Sequence, residues 1–318
     1  MAEADGAQGS NWYVLIAGMP PPTSPLTIAG GITLVPLQKH LSVFDLAAAG
    51  AVGFRQWSVL EGIAAACTCE IESALDAAVL PGYDTLNRAW LASALLVLRG
   101  FSSHIAPACS GYSWNTIAGH QERSAPLFHE QLQEEGVRAA VFQPRADLPP
   151  FRGGMLDFHL QILVHRSRRS DPVNADDAAW LREHFEPFNS LASNDESFRF
   201  ALQAAHDWRF AKDPRVAVAR LWSGIEALFG TGSELVFRIS LYCASVLEPR
   251  GHARHALFEH VKALYNLRSK VVHGQSLPDK QIQQATDDSF ELLSRLLLRI
   301  IEIGHTIGLE DLNQAVFF

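Results

Sequence analysis

Residues 257–274 of the chain read LFEHVKALYNLRSKVVHG, and this stretch decides the fold predicted for the C-terminal half. Within a helix predicted for residues 253–273, Leu257, Val261, Leu264 and Val271 recur at the spacing of one apolar face. The position that continues this face between Leu264 and Val271 is Arg268. The sequence therefore places a guanidinium where a helix in a bundle faces its neighbours.

A second charge lies on the apolar face of a helix predicted for residues 215–229. Trp222, Ile225 and Phe229 share that face, and Glu226 falls among them. A buried ion is costly unless it is paired. We therefore expect Arg268 and Glu226 to face one another or to share a polar pocket inside the bundle.

His273 closes the first of these helices, and Gly274 follows in the position that commonly takes a left-handed C-terminal cap. His273 is five residues beyond Arg268, which is about 140° around an ideal helix. The two side chains can serve one site only if the last turn loosens at the glycine, or if two copies of the domain pair around a shared cleft. Supporting polar groups on the His273 side would line that cleft: Asn266, Ser269 and Lys270.

Segments 264–274 (LYNLRSKVVHG) and 221–229 (LWSGIEALF) resemble the HEPN superfamily, and its Apea-like branch in particular. The likeness consists of an Arg-x4-His motif that ends a helix, a glycine after it, and a glutamate on an upstream amphipathic helix. It covers the C-terminal domain, and segment 41–57 is similar to sequence found upstream in Apea-like proteins. The resemblance implies a helical bundle that forms a homodimer through the helices bearing the motif. Many members are metal-independent endoribonucleases of toxin–antitoxin, abortive-infection and other antiviral defence systems.

By position, the resemblance makes Arg268 and His273 the catalytic pair and Glu226 a supporting acid. RNA supplies its own nucleophile, the 2′-OH, so no metal or other cofactor is expected. An imidazole can transfer the proton near neutral pH, and a guanidinium can hold the charge that develops on the phosphate. The expected products are a 2′,3′-cyclic phosphate and a 5′-OH. One departure is Ser269, because active members often carry Asn, Asp or His after the arginine.

Other interpretations of the same residues stay open. Arg268 and Glu226 can form a salt bridge that only fixes helix register, and His273 can simply interact with the helix dipole. The domain would then be a catalytically silent module that binds RNA or a nucleotide and dimerises, which Ser269 and the acidic balance of the chain favour. A third hypothesis gives the specific role to the N-terminal domain, as a sensor or as a platform for a regulatory partner.

The N-terminal half, residues 1–175, is predicted to be an α+β domain of unknown role, followed by the all-α domain at 176–318. Apolar runs at 12–17 and 32–37 and an alternating run at 158–164 predict strands, and the pattern at 86–98 predicts a helix. The charged stretch 166–172 looks like a linker. From residue 176 onward, long helical periods between Pro and Gly breakers predict about six helices.

Bulk properties limit the functional classes. The net charge of −8 argues against a protein that coats nucleic acid non-specifically. Residues 250–280 nevertheless carry six Lys or Arg against two acids, a pattern that is typical either of a polyanion site or of a solvated helix face. The four cysteines have no spacing that suggests a disulfide framework or a zinc site, which favours a cytoplasmic location. No secretory signal or membrane span is expected, since the longest apolar stretch, 89–98, is short and bounded by arginines.

Overall fold

The computed structural model describes residues 11–42, 44–45, 62–74, 85–118, 153–155, 169–230 and 235–317. Their contacts divide them into two compact units. The sheet unit holds the described residues up to 93, those from 101 to 155 and those from 169 to 183; the helical unit holds 94–100 and the described residues from 184 onward. The division passes through a helix a little beyond the boundary that we predicted near residue 175.

The sheet unit is built on an antiparallel sheet whose described strands follow the order β2-β3-β4-β1-β5-β6. The strands are β1 (Trp12–Ala17), β2 (Leu26–Ala29), β3 (Ile32–Pro36), β4 (Cys67–Ser73), β5 (Ile105–Ser110) and β6 (Gly153–Met155). Helices α1 (Thr85–Leu98) and α2 (Trp114–Ile117) and a short 3-10 turn (Ala64–Ala66) accompany them. The predictions of a strand at 12–17 and a helix at 86–98 are confirmed, and the strand predicted at 32–37 ends one residue earlier.

Three predictions for this half concern residues of which the structure describes only a part or nothing. The strand predicted at 158–164 lies outside the described residues, as does most of segment 41–57. Of the predicted linker 166–172, only the part from Arg169 onward is described. There Arg169 pairs with Asp171 and Asp177 and stacks over the Phe101 ring at 4.5 Å, so this end of the stretch is held by side-chain contacts.

The helical unit is a bundle of helices that follow one another with short connections. The described helices from residue 175 onward are α3 (Ala175–Asn194), α4 (Glu196–Asp207), α5 (Pro214–Phe229), α6 (Leu235–Leu247), α7 (His252–Val272), α8 (Asp279–Ile303) and α9 (Leu309–Phe317), with a 3-10 turn at Trp208–Phe210. That is one helix more than predicted. An α+β N-terminal part followed by a largely helical C-terminal part is thereby confirmed. No described helix is long and apolar enough to cross a membrane.

The sequence of helix α5 fixes both of its ends and its close packing against α4. Asp213 caps its first turn by accepting a hydrogen bond from the Arg215 backbone N–H at 2.7 Å, and Pro214 takes the first position, as predicted. Gly230 ends the helix in the left-handed conformation at φ 55°. Within the helix, a Cβ on Gly224 would lie 2.8 Å from the Cβ of Ala204, so α5 approaches α4 closely because this residue has no side chain.

Helices α7 and α8 complete the surroundings of the candidate site. α7 packs against both α6 and α5, and α8 packs against α5. The apolar stripe predicted for α8 is confirmed, because all five of its residues are buried: Leu293, Leu296, Leu297, Ile300 and Ile301. This core holds α5 and α7 side by side.

Candidate functional site at the contact of α5 and α7

Arg268 on α7 forms an ion pair with Glu226 on α5, with 3.1 Å between Arg268 Nη2 and Glu226 Oε1. The predicted pairing of these two residues is therefore confirmed. The pair is not fully buried, because 21% of the Arg268 side chain and 27% of the Glu226 side chain remain exposed. The charges lie at the edge of the core, where solvent or a ligand can reach them.

The ion pair leaves hydrogen-bonding capacity unused. Arg268 Nε and Glu226 Oε1 are buried and have no hydrogen-bond partner among the described residues. The contact is thus a charge contact through one terminal nitrogen, not the two-bonded fork that Arg and a carboxylate often form. The unpaired Nε is buried, so an anion can approach Arg268 only at the exposed fifth of its side chain.

Aromatic rings fix the position of the guanidinium. The Arg268 guanidinium carbon lies 5.3 Å from the centre of the Tyr265 ring, and Trp222 meets that ring edge-on at 5.1 Å. The Trp222 indole N–H in turn donates to Ser289 Oγ at 3.0 Å. Burial, followed by the negative charge of Glu226, raises the pKa of the Tyr265 hydroxyl. Arg268 therefore rests on a stack that reaches from α7 across α5 to α8.

The C-terminal end of α7 has the cap geometry that the sequence predicted. Gly274 is left-handed at φ 72°, its N–H donates to the Val271 carbonyl at 3.2 Å, and the Gln275 N–H donates to the Lys270 carbonyl at 3.0 Å. These two bonds make up a Schellman motif. Arg215 from α5 adds a bond at 3.0 Å to the same Val271 carbonyl. The end of α7 is thus fixed by its own cap and by a neighbouring helix.

His273 lies exposed at this end, separate from the ion pair. Among the described residues its side chain makes no hydrogen bond or ion pair, with Arg268 and Glu226 or with any other group. α7 is unbroken through Val272, and His273 itself has φ −81° and ψ 11°. The last turn of α7 therefore does not loosen, so in this conformation Arg268 and His273 of one chain do not come together. Of the two arrangements that we expected, pairing of two chains around a shared cleft is left.

The supporting residues are distributed as a helix requires. Asn266 and Lys270 are exposed, Ser269 is partly buried, and in the described part of the chain none of their side chains makes a hydrogen bond or ion pair with Arg268 or His273. The structure thus gathers Arg268 and Glu226 into one contact and leaves His273, Asn266 and Lys270 on the solvent side of the same helix.

The positive stretch 250–280 divides into two groups. Arg250 and Arg254 donate to the Val316 and Ala315 carbonyls at the end of α9, at 2.6 and 2.7 Å. These two cations complete the C-terminal end of a helix and serve its dipole. The second group lies farther along the chain, with Lys262, Arg268 and Lys270 on α7 and Lys280 on α8.

Sequence reasoning missed an alternation of rings and cations along one side of α7. Lys262 Nζ lies 5.6 Å from the centre of the Phe258 ring, as Arg268 lies over Tyr265. We call these four residues the aromatic–cation row. The signal was present in the sequence as Phe-x3-Lys followed by Tyr-x2-Arg, which are spacings that bring side chains together on a helix.

Metal ligands and reactive thiols are two other kinds of group that could carry chemistry. Within the described ranges, no group of three or more His, Cys, Asp or Glu side chains is arranged to hold a metal ion. All four cysteines are free and buried, and burial raises the pKa of Cys67 and of Cys69 to about 12. Neither thiol has the lowered pKa that a reactive nucleophile needs.

Comparison of the chain with protein-family models, with curated proteins and with solved structures finds no match in any of the three.

Proposed function

We propose that the protein is a metal-independent endoribonuclease of the HEPN type, acting as a homodimer. The observation that carries this proposal is the state of Arg268. It lies on the core-facing side of α7, is held by Glu226 and Tyr265, and 21% of its side chain is still exposed. A cation that only fixes helix register can be fully buried with its partner, whereas a cation that receives a phosphate needs an exposed face.

In the proposed reaction His273 removes the proton from the 2′-OH of RNA, and the 2′-oxygen forms a bond to the adjacent phosphorus. The bond from phosphorus to the 5′-oxygen breaks, and that oxygen takes up a proton from the protonated imidazole or from water. Arg268 holds the charge on the phosphate as phosphorus becomes five-coordinate. Glu226 positions the guanidinium. DNA has no 2′-OH and is expected to resist cleavage.

The second chain supplies what one chain lacks. Arg268 and His273 diverge on an unbroken α7, so a phosphate bound by one chain's Arg268 would meet the imidazole of the other. Pairing through α7 and its neighbours in the helical unit, around a two-fold axis, would build two equivalent clefts. Asn266, Ser269 and Lys270 would line them. The sheet unit would then regulate the nuclease or bind a regulatory partner, in a cytoplasmic defence or toxin system.

Two observations favour a second candidate, a silent module that binds RNA or a nucleotide and dimerises. Glu226 already neutralises Arg268 at 3.1 Å, and Ser269 stands where active members often have a more strongly polar residue. In that case RNA would be bound but not cut.

The deciding experiment incubates the purified chain with mixed RNA in excess chelator, beside Arg268→Ala and His273→Ala. Two matched variants serve as controls: Arg299→Ala, which removes an exposed arginine of α8, and His255→Ala, which removes an exposed histidine of α7. We expect the parent and the controls to release products ending in 2′,3′-cyclic phosphate, and each site variant to lose about 10²–10³-fold in rate. Binding without cleavage would support the silent module. Equal cutting by all five proteins would mean a contaminating nuclease.

A further inference from the structure

Phe237 on α6 is an exposed aromatic ring that the proposed chemistry does not use. It is 57% exposed, although it lies in the first turn of a helix whose other side is buried in the bundle. Its ring meets that of Phe258 on α7 edge-on, with 5.8 Å between the ring centres. Phe237 thus lies beside one end of the aromatic–cation row, and the packing of Phe258 against it holds the ring in place.

The row leads from this exposed ring toward the ion pair. Phe258, Lys262, Tyr265 and Arg268 follow one another at spacings of four, three and three residues, so Phe258 and Arg268 are about 15 Å apart along the helix axis. The Lys262 side chain is 45% exposed, and its ion pair with Glu259 is a 3.5 Å surface contact. Such a pair contributes little, so the ammonium is available to an anion.

Exposed rings beside cations are the combination that binds single-stranded nucleic acid. A base stacks on a ring whatever its identity, while the cation holds the neighbouring phosphate. A double helix offers no unstacked base to a ring. We infer that Phe237, supported by Phe258 and with Lys262 beside it, is a base-stacking subsite for single-stranded RNA that guides the strand toward Arg268. This inference rests on the proposed function, since it assigns the substrate of the same site.

The test measures binding separately from cleavage. The probe is a fluorescent, 2′-O-methylated oligonucleotide of about 12 nucleotides, whose blocked 2′ positions allow binding but no cleavage. The full chain is compared with Phe237→Ala, Phe237→Leu and Phe237→Trp, and with Lys262→Ala. The matched control is Phe200→Ala, which removes a ring of α4 that is 47% exposed. Cleavage of unmodified RNA by the parent is measured beside it.

We expect Phe237→Ala and Phe237→Leu each to weaken binding of the probe about tenfold, Phe237→Trp to preserve it, and Phe200→Ala to leave it unchanged. Lys262→Ala should weaken binding and reduce its dependence on salt. A duplex of the same sequence should bind equally weakly to the parent and to the Phe237 variants.

Three results would overturn the inference, and they are distinguishable. If the parent cleaves RNA through Arg268 and His273 but the Phe237 variants bind the probe normally, the subsite is wrong and the nuclease stands. If Phe237→Leu binds as the parent does while Phe237→Ala becomes monomeric in sedimentation, the ring is an apolar contact between two copies. If the parent neither binds nor cleaves RNA, the proposed function fails and the subsite fails with it.

Discussion

Glu226 has two opposed effects on Arg268. Together with Tyr265 it holds the guanidinium at a defined place on the edge of the core, which spares an incoming phosphate the cost of ordering a flexible side chain. It also neutralises the charge that the phosphate needs. In the proposed reaction the phosphate would approach the exposed fifth of the Arg268 side chain, because the unpaired Nε is buried.

The strength of this ion pair can be measured by a double-mutant cycle over Arg268→Ala and Glu226→Ala. The side chains are about a quarter exposed, so solvent screens the pair, and we expect a coupling free energy of about 1 kcal/mol. Urea unfolding of the parent, both single variants and the double variant supplies the four values. The exposed pair Arg299 and Glu302 on α8 is the control and should couple near zero. Equal coupling in both cycles would show that burial gives the Arg268 pair no advantage.

Glu70 in the sheet unit is a second residue whose charge the fold controls. It is 1% exposed on β4 and accepts hydrogen bonds from Ser113 Oγ at 2.6 Å and from the Trp114 backbone N–H at 2.5 Å. Burial raises its pKa to about 7, although these hydrogen bonds act in the opposite direction. The folded chain therefore holds a proton on Glu70 over a range of pH in which the unfolded chain has released it.

This shift predicts a pH-dependent stability. The pKa of Glu70 is about 7 when folded against 4.5 for an unperturbed glutamate, so its contribution is fully present below the unfolded value and is lost as the pH rises to about 7. The parent should lose roughly 1–3 kcal/mol relative to Glu70→Gln between about pH 4.5 and 7. Urea unfolding of both proteins, followed by tryptophan fluorescence at several pH values, measures the difference in stability. A parent and variant whose stabilities stay parallel across this range would contradict the raised pKa.

At the scale of elements, the end of α7 decides where His273 stands. Three carbonyl contacts close the helix there: the bonds from Gly274 and Gln275, and the bond from Arg215 to Val271. The imidazole therefore projects from a fixed cap and not from a frayed turn. The left-handed backbone of Gly274 is what this cap requires, because residues with a Cβ adopt positive φ at a cost.

Substitution of Gly274 tests the cap. The position has open space for a side chain, so any penalty comes from backbone conformation at φ 72° and not from a clash. We expect Gly274→Ala to lower the free energy of unfolding by about 1 kcal/mol, and Gly274→Asn to lower it less, because Asn tolerates the left-handed region. Thermal or urea unfolding of the parent and the two variants gives the order of their stabilities. If Ala and Asn behave alike, positive φ does not limit this position in solution.

The helices of the C-terminal half were predicted well from the sequence, because Pro and Gly residues mark their ends and apolar residues recur at helical spacing within them. Asp213-Pro214 and Gly230 bound α5 as expected, and Gly274 caps α7. The sheet was harder to predict. β4 lies inside it and does alternate, with apolar Cys67, Cys69 and Ile71 between polar residues, but no strand was predicted there, and the burial of Glu70 is not visible in that alternation. The pairing of Arg268 with Glu226 was predictable from spacing, whereas their partial exposure depends on how α5 and α7 pack.

On the scale of the whole molecule, the charge is unevenly distributed. The chain has a net charge of −8, yet the cations of α7 lie beside the candidate site. The acidic chain as a whole repels a long polyanion, whereas the cations of α7 attract it locally. Because Arg250 and Arg254 donate to α9 carbonyls, they keep their charge but have fewer N–H groups left to bind a phosphate. If the proposed function holds, binding of RNA should therefore depend on few phosphate contacts and have a shallow dependence on salt.

If the cleft is shared by two chains, mixing two inactive variants should restore activity, which a site within one chain does not allow. If Arg268 of one chain acts with His273 of the other, a mixed dimer of Arg268→Ala and His273→Ala chains holds one cleft that lacks both groups and one that is intact. Co-refolding equal amounts of two inactive variants should then restore about a quarter of the parent's activity, since about half of the dimers are mixed and each has one working cleft. Cleavage of mixed RNA in chelator gives the fraction, and sedimentation confirms that dimers form. If the variants dimerise together and stay inactive while the parent cleaves RNA, Arg268 and His273 act within one chain, and the end of α7 must then change conformation when RNA binds.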